Sequence, residues 1–445
     1  MKSKLARMKP LKVFTKLIIS LFILSSSSCT SFLEKLTEDK TPLRPLKERP
    51  SYCSVEAKKL SVLGRDKGGV ILFERLLSSL PIERRLNKTE KIVVWSLIQM
   101  NLRPDLATPS ARFQILLDSG KGIQYWDFKD ATLERDFPRL APPMTFLFGL
   151  ETILKTYSPR SSLKSLARLI DTYLSSKIPI SAELAFFIEK NKVQLLENKI
   201  FEKSYFKAKE QLRFGETLRK LSFTNIISNY YRFKKQASSE IKISNELYNL
   251  DIDNPNKAID KESASCNVDL GKYSTNQNII SPDNRDRHHP FGLRFNQKSF
   301  FLGITSIASS NFKPLFNTYL IDSSQDETIA PLCYRESPEG VHAYLSFKGR
   351  DPGQHLYNLF QFKIHTTSSA SELDQFLNHP RHLLLKKPVR ILYESDRGNQ
   401  SSLDIFLKKD IPVYHSSSLG EVWLYNPKNG FILDKRGRAH LSCLK

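Results

Sequence analysis

The sequence predicts an α+β protein, with a mainly helical first half followed by a β-rich, mixed α/β second half. Three observations carry this reading. Across residues 51–250, apolar side chains recur three and four positions apart, the period of a helix with one buried face. From His288 onward the period falls to two, as where Phe360, Phe362 and Ile364 alternate with Gln361 and Lys363. Between them, residues 251–287 are rich in Asn, Asp and Ser and hold Asn254-Pro255 and Ser281-Pro282, a linker composition. With 445 residues, 40% of them hydrophobic, the chain is long enough for two core-bearing domains, 51–250 and 288–445.

In the first half, Val70–Leu80 has helical spacing. A second helix opens around Thr89-Glu90-Lys91 and would bury Ile92, Trp95, Ile98 and Leu102 along one face. Arg103-Pro104-Asp105 and Thr108-Pro109-Ser110 interrupt it, because proline lacks the donor and the freedom a helix needs. Ala111–Leu117 is an apolar run that fits either a helix or a strand. Ser119-Gly120-Lys121-Gly122 is a turn, and Ile123–Phe128 fits a strand. Amphipathic helices are expected over Phe146–Tyr157 and Ser162–Leu174. Ser181 caps the next one, with Glu183 close behind, and the helical pattern continues to about Leu250 with Gly215 as a kink or connection.

In the second half, strands are expected over Ser299–Ile307, Leu315–Ile321, Val341–Phe347 and Tyr357–Ile364, then a short helix over Ser368–Asn378. Val389–Tyr393, a helix over Ser402–Lys408 and Ile411–Tyr414 form a strand-helix-strand unit whose connection suits parallel strands. Glu421–Tyr425 and Phe431–Asp434 flank a hairpin turn at Asn429-Gly430, and a last strand ends at Cys443.

The first residues have their own pattern. Lys2, Lys4, Arg7, Lys9, Lys12 and Lys16 precede an apolar run from Leu17 to Leu24, which is followed by Ser25-Ser26-Ser27-Ser28-Cys29. The run is too short for a membrane-spanning helix, which needs roughly 20 apolar residues, and suits the core of an export signal. The leader resembles a bacterial lipoprotein signal peptide with a lipobox-like end, although Ser26 stands where an apolar residue is commoner. That resemblance implies a signal peptide over 1–28, cleavage before Cys29 and acylation of Cys29 with fatty acid such as palmitate. Thr30, not an aspartate, then implies sorting to the outer membrane. Residues 29–50, with Pro42, Pro45 and Pro50, would be a lipidated tether. The expected location is the bacterial cell envelope, lipid-anchored. No family is recognised for the mature chain.

Of the five cysteines, Cys29 is assigned to the lipid. Cys53, Cys266, Cys333 and Cys443 remain, an even number suited to two disulfides in an oxidising compartment, with three possible pairings. The net charge of +22 leaves the mature chain strongly basic, with an excess across 151–250. Outside the cytoplasm the polyanions that such a field attracts are anionic lipid and envelope polymers rather than nucleic acid. All nine histidines lie in the second half. The densest cluster of metal-ligating types is Asp283, Asp286, His288 and His289. Arg285 and Arg287 among them would repel a cation, and neighbouring histidines on a loop point apart, so no metal is assigned. His342, His355 and His365 fall on expected strands or at their ends. No phosphate-binding loop, nucleophile elbow, zinc-binding helix or dinucleotide fingerprint occurs, and no cofactor is expected. The expected role is binding or scaffolding at the membrane surface. The alternative is an envelope hydrolase with a histidine-based site in the second half.

Overall fold

The computed structural model describes residues 52–53, 60–120, 122–130, 144–236, 241–244, 248–249, 264–270, 287–324, 329–349, 351–361, 369–386, 389–397, 404, 407–416, 419–437 and 439–444. The leader, Cys29 and the tether lie outside them, as do Asp283, Asp286, His365 and most of the helix expected over 402–408. The chain forms two compact units. Among the described residues, one comprises 52–379 with 420–444, and the other 380–419.

The larger unit is mixed α+β. The strands of its two large sheets, in chain order, are β1 (Ser61–Gly64), β2 (Arg112–Asp118), β3 (Ile123–Asp130), β4 (Ile241–Ser244), β5 (Tyr248–Asn249), β6 (Ser265–Cys266), β7 (His288–Asn296), β8 (Ser299–Ser306), β9 (Leu332–Ser337), β10 (Gly340–Phe347), β11 (Glu421–Asn426), β12 (Gly430–Leu433) and β13 (His440–Cys443). They build a seven-stranded sheet in the order β13-β1-β7-β8-β2-β3-β4 and a six-stranded sheet in the order β12-β11-β10-β9-β6-β5. Every pairing in both is antiparallel. The main helices are α1 (Lys67–Ser79), α2 (Lys88–Leu102), α3 (Thr145–Tyr157), α4 (Leu163–Tyr173), α5 (Ala182–Lys190), α6 (Phe223–Gln236), α7 (Pro352–Gln361) and α8 (Ala370–Asn378).

Strand alternation sorts the side chains into four layers. Phe113, Ile115 and Leu117 of β2 join Phe291 and Leu293 of β7 against helices α1–α4 and α6. From the opposite face, Leu116, Leu302 and Ile304 meet Ala343, Leu345, Trp423 and Tyr425 of the second sheet. The far face of that sheet, with Tyr344, Val422 and Leu424, is covered by Leu356 and Leu359 of α7 and Leu373 and Leu377 of α8. The order is helices, sheet, sheet, helices. Strands from both sides of the stretch read as a linker join in the first sheet, and that stretch itself supplies Ser265–Cys266 to the second.

Four expectations need correction. Of the strand expected over Tyr357–Ile364, residues 362–364 lie outside the described residues, and Tyr357–Gln361 is helical rather than a strand. Pro352 opens α7, and Leu356, Leu359 and Phe360 are buried at helical spacing, which overrides the short alternation. Leu315–Asn317 is a 3₁₀ turn, with Phe316 and Asn317 at positive φ, and the strand starts only at Ile321. Residues 182–236 are not one long helix. Asn191 and Asn198 stop and restart it, a hairpin follows at Phe206–Gln211, and Thr217–Arg219 pairs with Lys177–Pro179. Helix α2 is buried on every side from Ile92 to Leu102, not on one face, because it packs against α1, α3, α4 and β7 together.

The smaller unit holds a three-stranded sheet. Leu383, Leu385, Leu392 and Leu419 form its core. Val389–Tyr393 pairs antiparallel with His382–Lys386 and parallel with Val413–His415, as the strand-helix-strand reading expected. The fully buried Glu394 accepts hydrogen bonds from the Arg381 and Leu419 amides at 3.0 and 2.9 Å. Among the described residues, no helix is long and apolar enough to cross a membrane.

Two disulfides resolve the open pairing: Cys53 with Cys443, and Cys266 with Cys333. The second joins residues directly opposite each other on β6 and β9.

Candidate functional site

Charged side chains gather at one end of the two-sheet sandwich. Antiparallel pairing brings the end of β1, the start of β7, the end of β10 and the start of β11 to that end. They carry Arg65, His288 with His289, Lys348 and Glu421 respectively. Helix α2 delivers Gln99 from its last turn and Arg103 as its C-cap. Helix α5, capped by the Ser181 hydroxyl accepting from the Leu184 amide at 3.0 Å, delivers Glu183 in its first turn.

Glu183 is the hub. It pairs with Arg65, with Arg103 at 2.8 Å and with Lys348 at 3.3 Å. Arg103 also grips Asp105 with two parallel bonds of 2.9 and 2.7 Å. Lys348 reaches Glu421 at 3.0 Å, and Arg65 donates to the His288 carbonyl at 3.1 Å. Burial alone would raise the Glu183 carboxyl. Arg65, Lys348 and Arg103 together outweigh it and hold the group well below the usual carboxylate range. Arg65, Arg103 and Lys348 face Glu183, Asp105 and Glu421, and Asp66 is a fourth carboxylate beside Glu183. The cavity between Arg65, Asp66, Trp95, Gln99, Arg103, Ser181, Glu183 and His289 has space for about one water molecule.

His288 and His289 follow each other on β7 and point to opposite faces of the sheet. The His288 Nδ1 lies 2.7 Å from the Ser306 hydroxyl. The His289 Nε2 lies 2.9 Å from Gln99 Oε1. The Gln99 amide nitrogen donates to the Trp95 carbonyl, so Gln99 presents oxygen to His289, and the imidazole donates from Nε2. Burial, reinforced by Arg103 and Arg65, pushes the His289 pKa far down. The ring is neutral, with its Nδ1 lone pair buried and accepting no hydrogen bond. A neutral imidazole of this kind can act as a base only toward a group that reaches Nδ1. The one hydroxyl lining the cavity belongs to Ser181, and it already caps α5.

The other candidates are dispersed. His342, on β10, sits opposite Arg335 of β9, and burial with that guanidinium pushes it down to about 4. His355 is on α7 rather than on a strand. Among the described residues, no three His, Cys, Asp or Glu side chains are grouped to hold a metal. Arg65, Gln99 and Lys348 were not apparent from the sequence. Arg103-Pro104-Asp105 read equally as a turn, and Glu183 read only as a helix-start acid. Nothing local shows that Glu183 turns inward.

No protein family and no curated protein matches the sequence. Solved structures do resemble the fold. Two structures of LmbA2991 align with TM-scores of 0.59 and 0.61 at 8% and 9% identity, covering 86% and 89% of this chain and 98% and 99% of theirs. The cephalosporin acylase of Bacillus halodurans aligns with a TM-score of 0.57 at 9% identity, covering 91% of this chain and 99% of that one. At such identities the likeness is one of fold alone.

Proposed function

We propose that the protein is a lipid-anchored binding or scaffolding protein of the bacterial envelope, built on an acylase-like fold whose sandwich end is locked by charge. The observation that carries this reading is Glu183, which engages Arg65, Arg103 and Lys348 at once and leaves room for about one water. A cleft that takes a substrate of drug-like size usually spans hundreds of cubic ångströms. The anchor is supported by the leader and Cys29. The test assays purified protein against a panel of acyl anilides beside His289→Ala. The expected result is no release above the blank from any of them. Turnover by the wild type that is lost in His289→Ala would overturn the reading.

The second reading is an envelope hydrolase. It is favoured by the acylase-like fold together with the bare Nδ1 of His289. It requires Glu183 to release its cations when substrate arrives, and the same assay decides between the two.

A further inference from the structure

Residues 182–219 carry three of the most exposed large apolar side chains of the larger unit. Phe186 is 60% exposed, Val193 71% and Phe214 68%. Phe186 lies on α5, and Val193 on the short helix Lys192–Leu196 that restarts after Asn191. Phe214 precedes Gly215, whose amide donates to the Ile180 carbonyl, next to the start of α5. The Phe206–Gln211 hairpin also packs on α5. The apolar residues alternate with cations. Lys190 and Lys192 lie between the first two, and Arg213 adjoins the third, all exposed. Glu189, Glu197, Glu210 and Glu216 are exposed too, but exposed lysines and arginines of the segment outnumber them.

The hairpin tip adds a second, independent feature. Lys207 pairs with Glu210, so Ala208 and Lys209 form a two-residue turn, both at positive φ (50° and 67°). Such turns normally use Asn-Gly, because L side chains crowd the backbone there. Lys207 and Lys209 are both exposed at this tip.

We propose that this face, with Phe186, Val193 and Phe214 set among its lysines, is a membrane-contact surface that seats on an anionic phospholipid bilayer. Exposed aromatic and aliphatic groups enter the headgroup boundary while the flanking cations meet lipid phosphates. A tether of about 20 residues reaches at most about 70 Å. An anchor that long does not by itself choose which face meets the bilayer, and a second contact of this kind does. The proposal uses the lipid-anchored reading for orientation.

The test places the full acylated protein on vesicles of phosphatidylethanolamine with phosphatidylglycerol, or of phosphatidylcholine alone, each with brominated acyl chains. The reporter is Phe214→Trp, with Ile82→Trp, in the 3₁₀ turn Ile82–Arg84, as the exposed control. Quenching of the tryptophan at 214 well above that at 82 is expected on the anionic vesicles. It should fade at high salt and fall to the control level when Lys207 and Lys209 are both changed to Glu. Equal signals at 214 and 82 on acylated protein overturn the proposal. So does a signal at 214 that ignores lipid charge and the lysine changes, or one abolished by a protein fraction that covers the face. Absence of acyl on Cys29 would instead overturn the anchor, and is read separately by mass.

Discussion

Arg103 and Glu183 stand eighty positions apart in the chain and meet at 2.8 Å, joining the end of α2 to the first turn of α5. Both side chains are nearly out of water, at 6% and 15% exposure. A pair of this kind acts mainly as a constraint, because its attraction is offset by the desolvation of both ions, whereas removing one partner strands the other.

Glu183→Gln should therefore destabilise the protein by about 3–5 kcal/mol, since Arg65, Arg103 and Lys348 lose a shared partner together. Urea unfolding at neutral pH measures this. A loss under about 1 kcal/mol would mean that solvent screens the cluster as it does a surface pair.

Acid should weaken the fold in two stages. His289 and His342 are held neutral, His342 with a pKa of about 4 against 6.5 in the unfolded chain. Above pH 6.5 neither state takes up a proton there. As pH falls toward 4, only the unfolded chain does, so stability drops by up to about 3 kcal/mol from His342 alone. Glu183 works below that window. Its stabilisation is complete above the unfolded carboxylate value and is lost as pH falls through its depressed folded value. The difference in unfolding free energy between pH 7 and pH 4.5 should shrink in His342→Gln. An unchanged difference would place that histidine's titration elsewhere.

The cysteines make a chemical prediction. Cys53–Cys443 spans 390 positions and ties the last strand, β13, which among the described residues pairs only with β1, back to the start of the domain. On chain-entropy grounds its loss should cost about 3–6 kcal/mol, read as a lower melting temperature in Cys443→Ser. The unreduced, denatured protein should show no titratable thiol when acylated. It should show one, at Cys29, when not acylated. Additional thiols would contradict the pairing.

The layers of this fold were partly legible. Ser181 caps its helix as the sequence suggested, and Val389–Tyr393 pairs parallel with Val413–His415, a pairing with which the strand-helix-strand reading of 389–414 was compatible. The shared sheet was not legible. Its long β2–β8 pairing spans nearly two hundred residues, from Arg112 to Ser306, and no local period records a long-range partner. The site was hidden for the same reason. Arg65, Arg103, Glu183 and Lys348 each look like surface charges in their own segments, and only the tertiary packing of strand ends with the end of α2 and the start of α5 makes them neighbours. Alternation misled at Tyr357–Ile364 because a run of that length fits two periods until the tertiary partner selects one.

Gly149 tests how closely α3 lies on the sheet. A Cβ there would stand 2.8 Å from Phe113 Cδ1 and 2.8 Å from Phe128 Cδ2. Those rings belong to directly opposed residues of β2 and β3, and Phe146 packs edge-on against Phe113 at a centroid distance of 4.8 Å. Alanine is the better helix former by about 1 kcal/mol, so propensity alone predicts that Gly149→Ala stabilises. The overlap works the other way, because neither ring can withdraw without disturbing a buried neighbour, and overpacking of this kind costs about 1–3 kcal/mol. Gly149→Ala should therefore destabilise in urea unfolding. Phe113→Leu, which frees space under the helix, should make the added methyl less harmful in the double variant than in the single one, giving a positive coupling between the two sites. A stabilising Gly149→Ala, or strictly additive effects, would mean that α3 rides higher on β2 and β3 than these distances place it.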